Sequence, residues 1–146
     1  MLQEPWKHLK SGTDIRGVAL EGVAGQNVDL TDEIIESIAA SFVLWLKEKC
    51  GKANPTVAIG RDSRLSGPRI MGVLEKTFVK CGVNTLLCGL ASTPAMFMST
   101  VTGEAPYDAS VMITASHLPY NRNWGDIIVM NPGSTKYVST YGVLEI

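Results

Sequence analysis

A chain of 146 residues that is 45% hydrophobic and 18% charged has enough apolar side chains for one sizeable core, which excludes a disordered polypeptide. A formal charge of -1 gives no basis for nucleic-acid binding, so any anion has to be held by local groups. Residues 81–103 carry no charge, but Asn84, Gly89, Pro94 and many Ser and Thr divide them into short pieces, so no membrane span is expected.

Cys50, Cys81 and Cys88 lie in apolar surroundings and are expected to be buried, reduced thiols of an intracellular protein. The first residues have neither an apolar signal core nor a transit composition. Cytoplasm is the default location, and an organelle stays open if a targeting segment lies upstream.

In chain order, Ser11-Gly12-Thr13-Asp14-Ile15-Arg16-Gly17 is turn-prone and leads into Val18-Ala19-Leu20, a first strand with an arginine beside its glycine. A helix is expected from Thr31 to Lys49: Thr31 caps it, Asp32 and Glu33 suit the positive end of its dipole, and Gly51 closes it. Within it Ile35, Ile38, Phe42, Trp45 and Leu46 recur at helical spacing, which marks a packing face. Thr56 to Gly60 reads as a buried strand.

Arg61-Asp62-Ser63-Arg64 follows, and then Ser66-Gly67-Pro68 opens a helix that runs to about Lys80, with Ser66 as its cap. Two arginines beside a helix start make an anion site; the alternative is a solvated turn in which Asp62 pairs with an arginine. Val83 to Gly89 is the next strand, Thr93-Pro94 caps and starts a helix to about Val101, and Ala109 to Ile113 is a further strand.

This alternation at roughly thirty-residue spacing predicts an α/β fold, a three-layer α/β/α domain with a mainly parallel mixed sheet. The turns at Arg61, Ser92 and Ser116 then share the edge at the strands' C-terminal ends, where ligands of such folds bind. Thr114-Ala115-Ser116-His117-Leu118-Pro119 presents Ser116 there as a candidate nucleophile, although the same residue types also build ordinary turns. A hydrolase triad is not expected. His117 is adjacent to Ser116 and diverges from it, His8 lies in the N-terminal tail, and no Gly-x-Ser-x-Gly elbow is present. Arginines with an exposed serine suit an anionic substrate, phosphate above all.

Four segments, Ser11 to Gly17, Gly60 to Arg64, Thr93-Pro94 and Thr114 to Pro119, resemble in order the N-terminal motifs of the α-D-phosphohexomutases, the phosphoglucomutase/phosphomannomutase superfamily. The resemblance implies that Ser116 is phosphorylated, donates its phosphoryl group to a hexose phosphate and recovers one from the hexose bisphosphate. It also implies that Arg16 and His117 line the site. Arg61, Asp62, Ser63 and Arg64 would then support the phosphate or the nucleophile loop. In this superfamily Mg2+ bridges the phosphoserine, so Ser116 would meet the metal through its phosphate.

Motif resemblance stops at Asn123, which divides the chain into an incomplete first domain, residues 1–123, and a divergent tail, residues 124–146. Where the superfamily continues Gly-Phe-Lys, this chain has Trp124-Gly125-Asp126 and so lacks a lysine suited to proton transfer. The metal-binding Asp-Gly-Asp-x-Asp-Arg stretch, the sugar-recognition loop and the C-terminal phosphate loop are missing as well, and a splice form, a gene-model error or a frameshift is the expected origin. The run Asp126 to Met130 and the later run Lys136 to Ile146 have two readings: the halves of a hairpin, or an unselected sequence that only resembles strands. Two functions follow: the serine domain of a mutase that acts only within a longer chain, or a non-catalytic phosphosugar-binding or subunit-interacting product. Neither the hexose nor the oligomeric state is encoded in these motifs.

Overall fold

A computed structural model describes residues 4–11, 14–22, 24–116, 118 and 124–130. A short 3-10 helix, Glu4–Leu9, precedes β1 (Lys10–Ser11) and β2 (Asp14–Val18). Then come α1 (Asp32–Cys50), β3 (Thr56–Arg61), α2 (Gly67–Lys80), β4 (Asn84–Leu90), α3 (Thr93–Met98), β5 (Ala109–Thr114) and β6 (Trp124–Met130). The strands form one mixed sheet in the order β1-β2-β6-β5-β3-β4. β3 runs parallel to both β4 and β5, which makes the expected parallel unit. The other half is antiparallel: β6 pairs with β5 and β2, and β2 with β1.

β6 is where the sheet departs from the hairpin, one of the two readings of the run that starts at Asp126. The strand forms, but its partners are β2 and β5, so it sits inside the sheet. Residues 131–146, which include the other half of that hairpin, lie outside the described residues.

Helices cover both faces. Strand residues alternate sides, and Val57, Ile59, Val111 and Ile113 join Ile15 and Ile127 in the main core under α1 and α2. The intervening Ala58 and Met112 face Met96 of α3. All six residues of β5 are buried, as a strand covered on both faces requires.

Local chemistry explains most element ends. Thr31 accepts the Ile34 N–H at 3.4 Å, and Gly51 ends α1 in the left-handed conformation, φ 66°, with its N–H on the Lys47 carbonyl. The buried face of α1, Ile35, Ala39, Phe42, Val43 and Leu46, follows the helical repeat. Phe42 meets Phe78 of α2 at a centroid distance of 5.7 Å, which joins the two helices.

One cap keeps its residue without a cap bond, and one cap assignment changes. Ser66 is already helical, φ -73° and ψ -22°, and its buried side chain makes no cap bond; instead the Gly67 N–H turns onto the Arg64 carbonyl at 3.0 Å. At α3 the cap is Ser92, extended and accepting from the Ala95 N–H at 3.4 Å, and Thr93 lies inside the helix. The helix ends at Met98, short of the Val101 expected, because Ser99 and Thr100 turn their hydroxyls onto the Met96 and Phe97 carbonyls.

The cysteines also differ from the buried set expected. None is in a disulfide, Cys50 and Cys81 are half-buried, and Cys88 is exposed. Cys88 sits on edge strand β4, where the pairing jumps from Ile59–Leu87 to Gly60–Gly89 and leaves it as the extra residue of a bulge. Among the described residues, no helix is long and apolar enough to cross a membrane.

Candidate functional site

The C-terminal ends of the three parallel strands stand level. Arg61 pairs with Leu90 on one side and Ile113 on the other. Just beyond, the Asp62 N–H donates to the Ile113 carbonyl and the Ala91 N–H to the Arg61 carbonyl, both at 2.9 Å. The turns after Arg61, Leu90 and Thr114 therefore leave the sheet along one edge, as the order of elements implied.

Asp62 is the hub of that edge. Its Oδ1 accepts the Arg64 N–H at 2.9 Å, closing a tight turn. Its Oδ2 accepts the Thr114 hydroxyl at 2.8 Å and the Ala115 N–H at 3.3 Å, and Arg64 Nε lies 3.7 Å from it. Arg64 Nη2 reaches across to donate to the Leu118 carbonyl, and the Leu118 N–H donates to the Ala115 carbonyl at 3.0 Å. Arg61 Nη1 donates to the Asp62 carbonyl at 3.1 Å, and Ser63 stands exposed on the bend.

Ser116 stands exposed two residues beyond the end of β5 and is held at φ 53°. It is the one non-glycine with positive φ among the described residues. The left-handed conformation costs an L-residue about 1–2 kcal/mol, so its surroundings must hold it. One such restraint is visible: the Ser116 N–H donates to Thr114 Oγ1 at 3.0 Å.

Arg16 reaches the same part of the sheet through strand register. It pairs with Asp126 of β6, and Asp126 in turn pairs with Thr114 of β5. Two strand spacings put the Arg16 and Thr114 backbones roughly 10 Å apart in one row. Positions in one such row project from the same face. His117, expected to line the site, lies outside the described residues.

Thr114 and the Leu118 carbonyl were not singled out from sequence. A Thr two residues before the serine was the available signal, because such residues bond the backbone N–H two places on. The Leu118 carbonyl carries no sequence signal, since every residue has one. Among the described residues, no group of three or more His, Cys, Asp or Glu gathers into a cation site.

Comparison with known proteins places this architecture. The family described as phosphoglucomutase/phosphomannomutase, alpha/beta/alpha domain I, matches residues 8–139. That span runs beyond Asn123, where motif comparison ended, and takes in β6. A phosphoglucosamine mutase of Cupriavidus metallidurans is 39% identical over 107 residues, which cover 70% of this chain and 24% of that protein. A phosphoglucomutase of Neisseria meningitidis is 34% identical over 104 residues, covering 71% of this chain and 21% of the relative. This chain thus spans about a quarter of the length of the curated relatives it matches. The crystal structure of a phosphoglucomutase/phosphomannomutase family protein from Burkholderia thailandensis superposes with a TM-score of 0.71 at 24% identity, over 99% of this chain and 30% of that one. The chain belongs to the phosphoglucomutase/phosphomannomutase family, and its fold is that family's α/β/α domain I.

Proposed function

We propose that this chain is the serine-bearing domain of a phosphohexomutase, in which Ser116 carries the phosphoryl group exchanged between the 1- and 6-oxygens of a hexose phosphate. One arrangement carries this reading. Ser116 stands exposed at φ 53° on the edge where three strands end, its backbone tied through Thr114 to Asp62. That is how a nucleophile is presented by a rigid support, and phosphoryl transfer depends mainly on positioning and charge.

In the forward step a sugar hydroxyl oxygen attacks phosphorus. Its bond to phosphorus forms as the Ser116 Oγ–P bond breaks, the sugar hydroxyl gives up a proton, and Ser116 Oγ regains one. The reverse step at the other end of the bisphosphate returns a phosphoryl group to Ser116. Phosphoserine carries about -1.5 to -2 charges at neutral pH, so cations must face it. Arg16 and His117 are proposed for that role, and Arg61, Asp62, Ser63 and Arg64 for support of the loop.

The described residues do not build a Mg2+ site, because no three potential ligands converge. The Asp62 carboxylate is already engaged by Thr114, Ala115 and Arg64. No step is therefore assigned to a metal.

Incubation of the chain with glucose 1,6-bisphosphate, followed by intact mass measurement, tests the reading. One added phosphate that Ser116→Ala abolishes supports it. No uptake by the wild-type chain overturns it, and bisphosphate binding without transfer favours a non-catalytic phosphosugar-binding role. Conversion of glucose 1-phosphate to glucose 6-phosphate by this chain alone is not expected, because no lysine follows Asn123 in the family position and no Asp-Gly-Asp run is present.

A further inference from the structure

The single proton of the Thr114 hydroxyl has a determined direction. An ionised carboxylate only accepts, so that proton points at Asp62 Oδ2, 2.8 Å away. The oxygen's lone pairs are then left for the Ser116 N–H, which they accept at 3.0 Å. Thr114 is well placed to transmit this order, being 8% exposed and the last residue of a strand buried along its whole length. The Ala115 N–H also donates to Asp62 Oδ2, so consecutive peptide groups before Ser116 are anchored to one carboxylate and one hydroxyl. What they anchor is the sole non-glycine left-handed residue among those described.

We propose that Thr114 is a positioning residue for phosphoryl transfer: its hydroxyl, oriented by Asp62, holds Ser116 in the left-handed conformation from which Oγ meets the phosphoryl group. This rests on the reading of Ser116 as the nucleophile. The role needs a side chain that donates and accepts at once. Valine keeps the shape of threonine and does neither, whereas serine does both. The Ser116 N–H is committed to Thr114, which leaves the phosphate's charge to the cations proposed to face it.

The test compares the full chain with its Thr114→Val and Thr114→Ser variants in three measurements: thermal unfolding, Ser116 amide exchange with its HN–Hα coupling by NMR, and the rate of phosphoryl uptake from glucose 1,6-bisphosphate. In folded Thr114→Val, Ser116 amide exchange rises and phosphoryl uptake falls, each by about tenfold, the equivalent of one lost hydrogen bond. The coupling moves away from its wild-type value, and Thr114→Ser restores all three. Wild-type exchange and coupling in Thr114→Val, or a failed rescue by serine, overturns the proposal. If the wild-type chain takes up no phosphoryl group, the nucleophile reading falls and the proposal with it. If wild type and Thr114→Val take it up equally fast, only the proposal falls. Should Thr114→Val not fold, Thr114→Cys against Thr114→Ser makes the same comparison, since a thiol donates and accepts weakly.

Discussion

The Asp62 carboxylate and the Thr114 hydroxyl, 52 positions apart in sequence, meet at 2.8 Å and tie the end of β3 to the end of β5. Both carboxylate oxygens act as acceptors, Oδ1 for Arg64 N–H and Oδ2 for Thr114 and Ala115. An amide in the same place has one acceptor oxygen and one donor NH2, so one side meets donor with donor. Asp62→Asn is expected to lower stability by about 1.5–3 kcal/mol in urea unfolding.

Arg69 of α2 uses the fork of its guanidinium to hold the segment between β2 and α1. Its Nη2 donates to the Ala19 and Leu30 carbonyls at 2.8 Å, and its Nη1 to Asp32 at 2.5 Å. A lysine ammonium is a point charge on a flexible stem and cannot hold all three. Arg69→Lys should cost about 1–2 kcal/mol. Amide exchange at Asp29 and Leu30, whose N–H groups donate to the Val18 carbonyl, should quicken along with it.

Gly60 is glycine because α3 passes close to it. An added Cβ would lie 2.5 Å from Met96 Sδ and 2.8 Å from Ala91 Cβ. Gly60→Ala should therefore destabilise the chain by about 1–3 kcal/mol through overpacking. Chemical-shift changes centred on α3 rather than α1 would locate the effect.

Lys52 and Asp108 form an ion pair at 2.6 Å, and Asp108 also accepts the Thr56 N–H at 2.8 Å. The hydrogen bond and charge of Asp108 raise the Lys52 pKa above its ordinary 10.5. A folded-state value above the unfolded one means that the pair stabilises fully below about pH 10.5 and that this is lost as pH rises through the folded value. Alkaline unfolding curves of wild type and Lys52→Gln should therefore converge as pH rises, and curves that stay parallel would contradict the assignment. The effect should be small and weakened by salt, because the ammonium is exposed.

The turn that carries Ser116 shows how far sequence reasoning reaches. The strand before Ser116 was legible because Ala109 to Ile113 is apolar at every position but Ser110, and the position of Ser116 at a strand end follows from that. That Ser116 adopts φ 53° was not legible, because serine does not require it. The conformation depends on Asp62, which is brought to Thr114 by the pairing of β3 with β5. Arg16 could be read as lying beside Gly17 in a first strand, but its row with Thr114 exists only because β6 lies between β2 and β5.

What the amino-acid order decides unaided here is local. Thr31 and Gly51 bound α1 because a hydroxyl, and a backbone N–H turned by the left-handed φ that glycine allows, satisfy orphan backbone groups within a few residues. The apolar repeats set which face of α1 and which runs of β3 and β5 are buried. What tertiary structure decides depends on partners distant in the chain. Trp124 to Met130 is an apolar run that could pair with any open strand, and β2 and β5 claim it because their edges face each other across one strand's width. Cys88 is exposed because β4 has a neighbour on one side only, among the described strands. Asp62 becomes a hub because parallel pairing sets the ends of β3 and β5 level, where one carboxylate satisfies groups from both turns. Hydrogen bonds over such separations are fixed by register, and register is a property of the assembled sheet.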